Sequence, residues 1–167
     1  MAGRTKRAAG GRRPQAAVSK ALFESPIGSL EVVGTEAGIL SIEFSKRSAV
    51  PAGSPAPCLK KCLRQLEEYF KGRRRTFSLR LDLRGTPFQK RVWNELLKVP
   101  FGRTVAYRDI AAALGNPRAT RAVGGANHRN PVSIVVPCHR VIGADGGLTG
   151  YGGGLRRKEW LLAHEKK

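Results

Sequence analysis

The chain of 167 residues carries 31 lysines and arginines against 12 acidic residues, a formal net charge of +19, and is 41% apolar. That length supports one sizeable core or two small ones, and that charge points to a polyanionic partner, nucleic acid first. No apolar run approaches a membrane span, the basic N-terminus lacks the apolar segment of a secretion signal, and three cysteines without paired spacing argue against a disulfide framework. A soluble, cytoplasmic protein without membrane contact is expected.

Residues 1–19, rich in Arg, Ala and Gly, show no apolar period and are expected to form a disordered basic tail. From Ala21 short apolar runs alternate with turn residues: 21–25, a Pro26-Ile27-Gly28 turn, 30–33, a second turn ending at Gly38, then 39–44. This reads as a β-meander. Residues 50–57, with three prolines and a glycine, read as a loop. Leu59, Cys62, Leu63, Leu66 and Phe70 share one helical stripe over 58–71, with Gly72 as the stop. Cys58 and Cys62 sit one helical turn apart, but no histidine flanks them and a structural reading is preferred to a zinc pair. Phe77, Leu79, Leu81 and Leu83 alternate with polar residues, the pattern of a half-buried strand.

A new unit opens at Thr86-Pro87-Phe88-Gln89, where Thr at the cap, Pro behind it and Gln three on make a capping-box start. Phe88, Val92, Trp93, Leu96 and Leu97 then cover a broad helical face. After Gly102, Tyr107, Ile110, Ala111 and Leu114 recur at helical spacing up to Gly115. Asn116-Pro117 forces a turn and residues 119–126 suit a second short helix, giving a helix-turn-helix pattern. That second helix is expected to present Arg118, Arg121 and a small face of Ala122, Gly124, Gly125 and Ala126, which allows close backbone approach to a partner.

The run Ile134-Val135-Val136-Pro137-Cys138-His139-Arg140-Val141 looks like a site. A β-branched strand is expected to stop at Pro137 and present Cys138 at an edge or cleft, with His139 and Arg140 favouring the thiolate. The bland alternative is a small buried cysteine.

Arg121-Ala122-Val123-Gly124-Gly125-Ala126, Asn130-Pro131-Val132, Pro137-Cys138-His139-Arg140-Val141, Gly150-Tyr151 and Lys158-Glu159-Trp160-Leu161-Leu162-Ala163-His164-Glu165 together resemble the O6-alkylguanine-DNA alkyltransferase family. The likeness is dense over 86–165 and looser toward Pro26-Ile27-Gly28. Among bacterial members it is similar to the stand-alone type, with no zinc-bearing regulatory domain expected ahead of it. The resemblance implies an α+β fold: a strand-rich, ribonuclease H-like N-terminal subdomain over 20–85 and a helical C-terminal domain over 86–167 that binds DNA and holds the chemistry. It implies a single transfer of an alkyl group from guanine O6 in duplex DNA to Cys138, without cofactor or metal, by a protein expected to be monomeric. Cooperative assembly on DNA and activity on O4-alkylthymine are left open.

Matched residue by residue, the resemblance makes His139 the base acting through a water, Glu165 its orienting carboxylate, and Tyr107 the donor near guanine N3. It makes Arg121 the side chain that fills the space of a flipped base, with Ala122 and Gly124 in the minor groove. A simple phosphate clamp is the other reading of Arg121, and Arg118 is a further DNA-binding candidate. Asn130 resembles a hinge between the recognition helix and the active-site segment, the carbonyls of Cys138 and Val141 read the exocyclic amine, and Tyr151 walls the pocket. Gly152 stands where some members carry serine, which suggests a roomier pocket. Two other classes stay open at this level. A sensor of alkylated bases is disfavoured by the cysteine itself, and a Cys-His hydrolase leaves the basic helix-turn-helix without a task.

Overall fold

The computed structural model describes residues 17–47 and 55–167. The expected basic tail lies outside the described residues as far as residue 16, and Ser19, assigned to it, already begins a strand. Strands β1 (Ser19–Ser25), β2 (Gly28–Thr35) and β3 (Gly38–Phe44) form the antiparallel meander read from the turns. Leu30, Val32, Ile39 and Ile42 are buried on it, the inward half of a period-two pattern. Helix α1 (Pro57–Phe70) packs against all three strands. Pro57, expected in the preceding loop, instead opens this helix, where its missing N–H costs nothing; residues 48–54 of that loop lie outside the described residues. The buried face of α1 is Leu59, Cys62, Gln65, Leu66 and Tyr69, rotated from the expected stripe so that Leu63 and Phe70 are only half-buried.

Residues 77–83 do not form the expected strand. Phe77, Leu79, Leu81 and Leu83 do pack partly buried against the core, yet only Leu81 bridges to Ile39, through bonds of 2.8 Å from Ile39 N to Arg80 O and from Asp82 N to Ile39 O. The rest of that β3 edge is taken by another segment: Ile42 N donates to Pro131 O (2.9 Å) and Ser133 N to Ile42 O (3.0 Å). The far edge of the sheet is thus shared, and the segment leading to Cys138 is docked on it.

Helix α2 (Pro87–Leu96) starts as its capping box requires, with Gln89 N on Thr86 Oγ1 (3.2 Å) and Thr86 N on Gln89 Oε1 (2.9 Å). Val92, Trp93 and Leu96 are buried, whereas Leu97, expected on the same face, is 43% exposed. Two-residue β4 (Val105–Ala106) leads directly into α3 (Tyr107–Ala113), and a 3₁₀ turn, Pro117–Ala119, precedes α4 (Thr120–His128). Both α3 and α4 pack on α2. Arg91 of α2 donates to the Leu114 carbonyl at the end of α3 (2.8 Å), and the Trp93 indole donates to Ala126 O (2.9 Å). After the Cys138 segment, β5 (Val141–Ile142) pairs in parallel with β4, and α5 (Leu155–His164) closes the chain. One apolar core runs through both halves, from Leu30 and Leu59 to Val136 and Leu161. No described helix is long and apolar enough to cross a membrane.

Candidate active site

Cys138 does not end a strand. Ser133 O accepts from Val135 N (2.9 Å) across Ile134, whose φ of 74° is an outlier for a β-branched residue. Pro137, with φ −82° and ψ 61°, then centres an inverse γ-turn closed by Cys138 N on Val136 O at 2.8 Å. These two tight turns replace the ladder suggested by the β-branched run and feed a 3₁₀ turn, Cys138–Arg140.

Asn130 holds this geometry. Its Oδ1 accepts from Val132 N (3.0 Å), and its amide donates to Val136 O (2.8 Å) and to Cys138 Sγ (3.0 Å). Both amide hydrogens are used, which is why an asparagine serves here. Asn127 of α4 adds a long 3.4 Å bond to the Cys138 carbonyl.

Cys138 is 4% exposed rather than presented at an edge. Burial pushes its thiol up to about 11, against the pull of the Asn130 bond and of the Lys158 ammonium. The expectation that Arg140 and His139 favour the thiolate is therefore corrected. The Arg140 guanidinium turns to Glu165 (Nε to Oε2 2.8 Å, Nη2 to Oε1 3.0 Å) and to Val99 O (2.6 Å). The cation acting on the sulfur is Lys158, fully buried, which donates to Val141 O (2.5 Å) and Thr149 O (2.6 Å).

His139 is fully buried, with Nε2 2.8 Å from Glu165 Oε1. Burial could have raised the Glu165 carboxyl, but bonds to His139 and Arg140 outweigh it and hold the group well below the ordinary carboxylate range. Because Glu165 is ionised, Nε2 carries the imidazole proton. Burial depresses the pKa of His139, which Glu165 opposes only in part, so the ring is a neutral base with its Nδ1 lone pair free. Nδ1 has no partner among the described residues. Glu165 itself is 3% exposed, not the solvated acid a C-terminal helix end usually carries. It also accepts from Tyr69 Oη (2.7 Å) and Gly102 N (3.2 Å). Gly102 has φ 73°, and a Cβ there would lie 2.8 Å from Glu165 O, so only glycine lets this backbone approach.

Tyr107 stands at the start of α3, half-buried, with its hydroxyl on Thr149 O (3.1 Å) and Gly150 O (3.4 Å). Burial raises its pKa, so it is a phenol able to donate. Gly124 of α4 faces the same ring. Arg121 and Ala122 are exposed on α4. Arg118 is exposed too but lies in the 3₁₀ turn ahead of the helix, and Ala126, expected on the open face, is buried. The Val141 carbonyl accepts from Lys158, and the Cys138 carbonyl from Val141 N as well as from Asn127. Tyr151 is 7% exposed beside the 152–154 glycines. Gly152 is exposed and lines a cleft of about 300 Å³ with His128, Asn130 and Ser133.

Two family models account for the chain: the 6-O-methylguanine DNA methyltransferase ribonuclease-like domain over residues 18–83 and the DNA binding domain over residues 87–167. The chain belongs to the 6-O-methylguanine DNA methyltransferase family. A methylated-DNA–protein-cysteine methyltransferase of Methanosarcina barkeri is 47% identical over 150 residues, 87% of this chain and 95% of that one. The protein of that name from Mycobacterium bovis is 47% identical over 148 residues, 86% of this chain and 90% of that one. Among solved structures, Mycobacterium tuberculosis O6-methylguanine methyltransferase superposes with a TM-score of 0.80 at 45% identity, covering 90% of this chain and 93% of that one. The M. tuberculosis protein in complex with DNA matches with a TM-score of 0.78 at 46% identity, covering 87% and 91%.

The methyltransferase-family motifs led to Cys138, His139, Glu165 and Asn130, of which the fold pairs Asn130 with the Cys138 sulfur and His139 with Glu165. Tyr69, Gly102, Lys158 and the turned Arg140 were missed. For Tyr69 the one available signal was its place three residues after Leu66 on the buried face of α1, where a tyrosine hydroxyl needs a partner.

Proposed function

We propose that the protein repairs DNA by a single transfer of an alkyl group from guanine O6 to Cys138 of its own chain. The observation that carries this reading is His139, buried and neutral, with Nε2 on Glu165, Nδ1 without a partner, and Cys138 directly before it. A thiol pushed up to about 11 is protonated at rest, so the base must act as the reaction proceeds. His139 Nδ1 takes the thiol proton through a bridging water, and Glu165 stabilises the imidazolium that forms. Sγ attacks the alkyl carbon; the S–C bond forms as the C–O6 bond breaks. The electron pair stays on guanine, whose developing negative charge Tyr107 neutralises by donating toward N3. The thioether persists, so each molecule acts once.

The base is reached by flipping it from duplex DNA. Arg121 fills the vacated stack, and the small face of Ala122 and Gly124 lies in the minor groove; Arg118 clamps phosphate. Asn130 is the hinge between α4 and the cysteine turn. The Cys138 and Val141 carbonyls take the exocyclic amine, Tyr151 walls the pocket, and the Gly152 N–H contacts the base. Residues 20–85 and 86–167 act as two units of one monomer. No cofactor enters, and O4-alkylthymine fits the same displacement.

The test is intact mass with peptide mapping after mixing the protein with a duplex bearing one O6-methylguanine. One methyl group on the Cys138 peptide, stoichiometric and absent in Cys138→Ala, is expected. No mass gain despite lesion binding would make the protein a sensor instead.

A further inference from the structure

The mechanism above takes all its groups from the C-terminal half, yet one group within hydrogen-bond distance of the catalytic pair comes from elsewhere. Tyr69 lies on α1, 96 residues before Glu165, and is fully buried. Its hydroxyl donates to Glu165 Oε1 at 2.7 Å, the same oxygen that receives His139 Nε2–H at 2.8 Å. A buried tyrosine commonly satisfies its hydroxyl on a backbone carbonyl; here it goes to the carboxylate that orients the base.

We propose that Tyr69 is a positioning residue for the alkyl-transfer site: by sharing Oε1 with His139, its hydroxyl sets how strongly Glu165 holds the imidazole. The proposal rests on the function assigned above to His139 and Glu165. A carboxylate oxygen that already accepts one strong hydrogen bond offers less charge to the next. Tyr69 therefore keeps the imidazole oriented without letting the carboxylate bind its proton so tightly that the ring stays protonated. The ring is held for this task. It packs edge-on against Phe101 (centroids 6.2 Å) and Phe70 (5.3 Å), and its backbone carbonyl meets His164 Nε2 at 2.8 Å.

Other charged or titratable groups around the pair are Arg140 from the 3₁₀ turn, Lys158 and His164 from α5, Cys138, Tyr151, and Arg75 across the Phe101 ring. Arg140 lies on the carboxylate from the other side and occupies both oxygens. The tyrosine hydroxyl is thus a neutral donor to the His139-bound oxygen, and it can be removed without changing the charge of the site.

The experiment uses the full chain with Tyr69→Phe. The Nε2–H proton resonance of His139 reports the bond to Glu165, and methyl transfer from an O6-methylguanine duplex is followed against pH. Expected is a downfield move of the resonance as the His–Glu bond tightens, and an acid limb of the rate profile displaced upward by about 0.5 to 1 unit. The Tyr69→Phe effect vanishes when Glu165→Gln is also present. If Tyr69→Phe does not fold, 3-fluorotyrosine at residue 69 keeps ring and hydroxyl but is the stronger donor, and must move the resonance upfield. A melting temperature that drops while resonance and profile coincide with wild type would make Tyr69 merely structural and overturn the proposal. If the wild type transfers no methyl group, the assigned function fails, and the resonance still decides the role of Tyr69.

Discussion

Asn130 donates to the sulfur of Cys138 at 3.0 Å while its other amide hydrogen, on Val136 O, braces the turn that carries this cysteine. One side chain thus bears on both the place of the Cys138 sulfur and its acidity. Asn130→Ala leaves buried Val132 N and Val136 O without their side-chain partner, at a cost of about 2–4 kcal/mol. It also removes a bond that lowers the thiol pKa. Alkylation of Cys138 by iodoacetamide at pH 9 is expected to slow by roughly fivefold, the weight of one hydrogen bond. An unchanged rate would separate the hinge from the chemistry.

Acid is expected to destabilise the fold in two steps. The pKa of His139 is depressed in the folded chain below its ordinary 6.5, so the unfolded chain takes up that proton first and stability falls as the pH drops below about 6.5. Glu165, held well below its ordinary 4.5, also favours the folded state only while ionised, and its contribution is lost below about pH 4.5. Urea midpoints between pH 8 and 3 check this. Glu165→Gln should abolish the lower step and, by leaving the Arg140 charge unpaired, cost about 3–5 kcal/mol at neutral pH. A midpoint flat from pH 8 to 4 would contradict the assignment.

Arg121 is exposed and makes no ion pair among the described residues. Arg121→Ala should therefore leave stability within about 0.5 kcal/mol of wild type. Methyl transfer from duplex DNA should nevertheless fall on the order of tenfold to a hundredfold, the size of a flipping step of a few kcal/mol. Transfer from free O6-benzylguanine, which needs no flipping, should be spared. Equal losses on both substrates would place Arg121 in the pocket rather than in the stack.

Adjacent glycines are expected to respond differently. A Cβ at Gly153 would lie 2.6 Å from the Tyr151 ring and 2.7 Å from that of Phe44, so Gly153→Ala overpacks and costs about 1–3 kcal/mol. A Cβ at Gly152 meets only His128 O, at 3.4 Å. Gly152→Ser should fold as wild type yet narrow the cleft, slowing benzyl transfer more than methyl transfer. Thermal melts and paired rates distinguish the two effects, and faster benzyl transfer in Gly152→Ser would sink the idea of a roomier pocket.

The chain's local chemistry determined much of this protein by itself. Thr86 and Gln89 close a capping box from four consecutive residues, and the meander follows from turn residues at 26–28 and 35–38. Period-two alternation over 77–83 was legible too, but whether it became a strand was not. The edge it would have paired with is split between Leu81 and Val132, and competition for one row of N–H and C=O groups is a property of the whole fold.

Cys138, His139 and Glu165, the nucleophile, base and carboxylate proposed above, were readable because the motifs stand in order along the chain. What surrounds them was decided only by tertiary packing. Ile134 adopts a left-handed φ because Asn130 and the sheet edge hold both ends of its turn, against the strand propensity of its own side chain. Arg140 is next to His139 in the chain yet faces Glu165, while Lys158, twenty residues from Cys138, supplies the nearby cation. Tyr69 reaches the same carboxylate from a helix 96 residues earlier in the chain. Propensity, capping and turn preference act over a few residues, so they are written in the sequence. Which buried donors meet one carboxylate depends on how helices and sheet close over a common core, and that is set by the sum of long-range contacts.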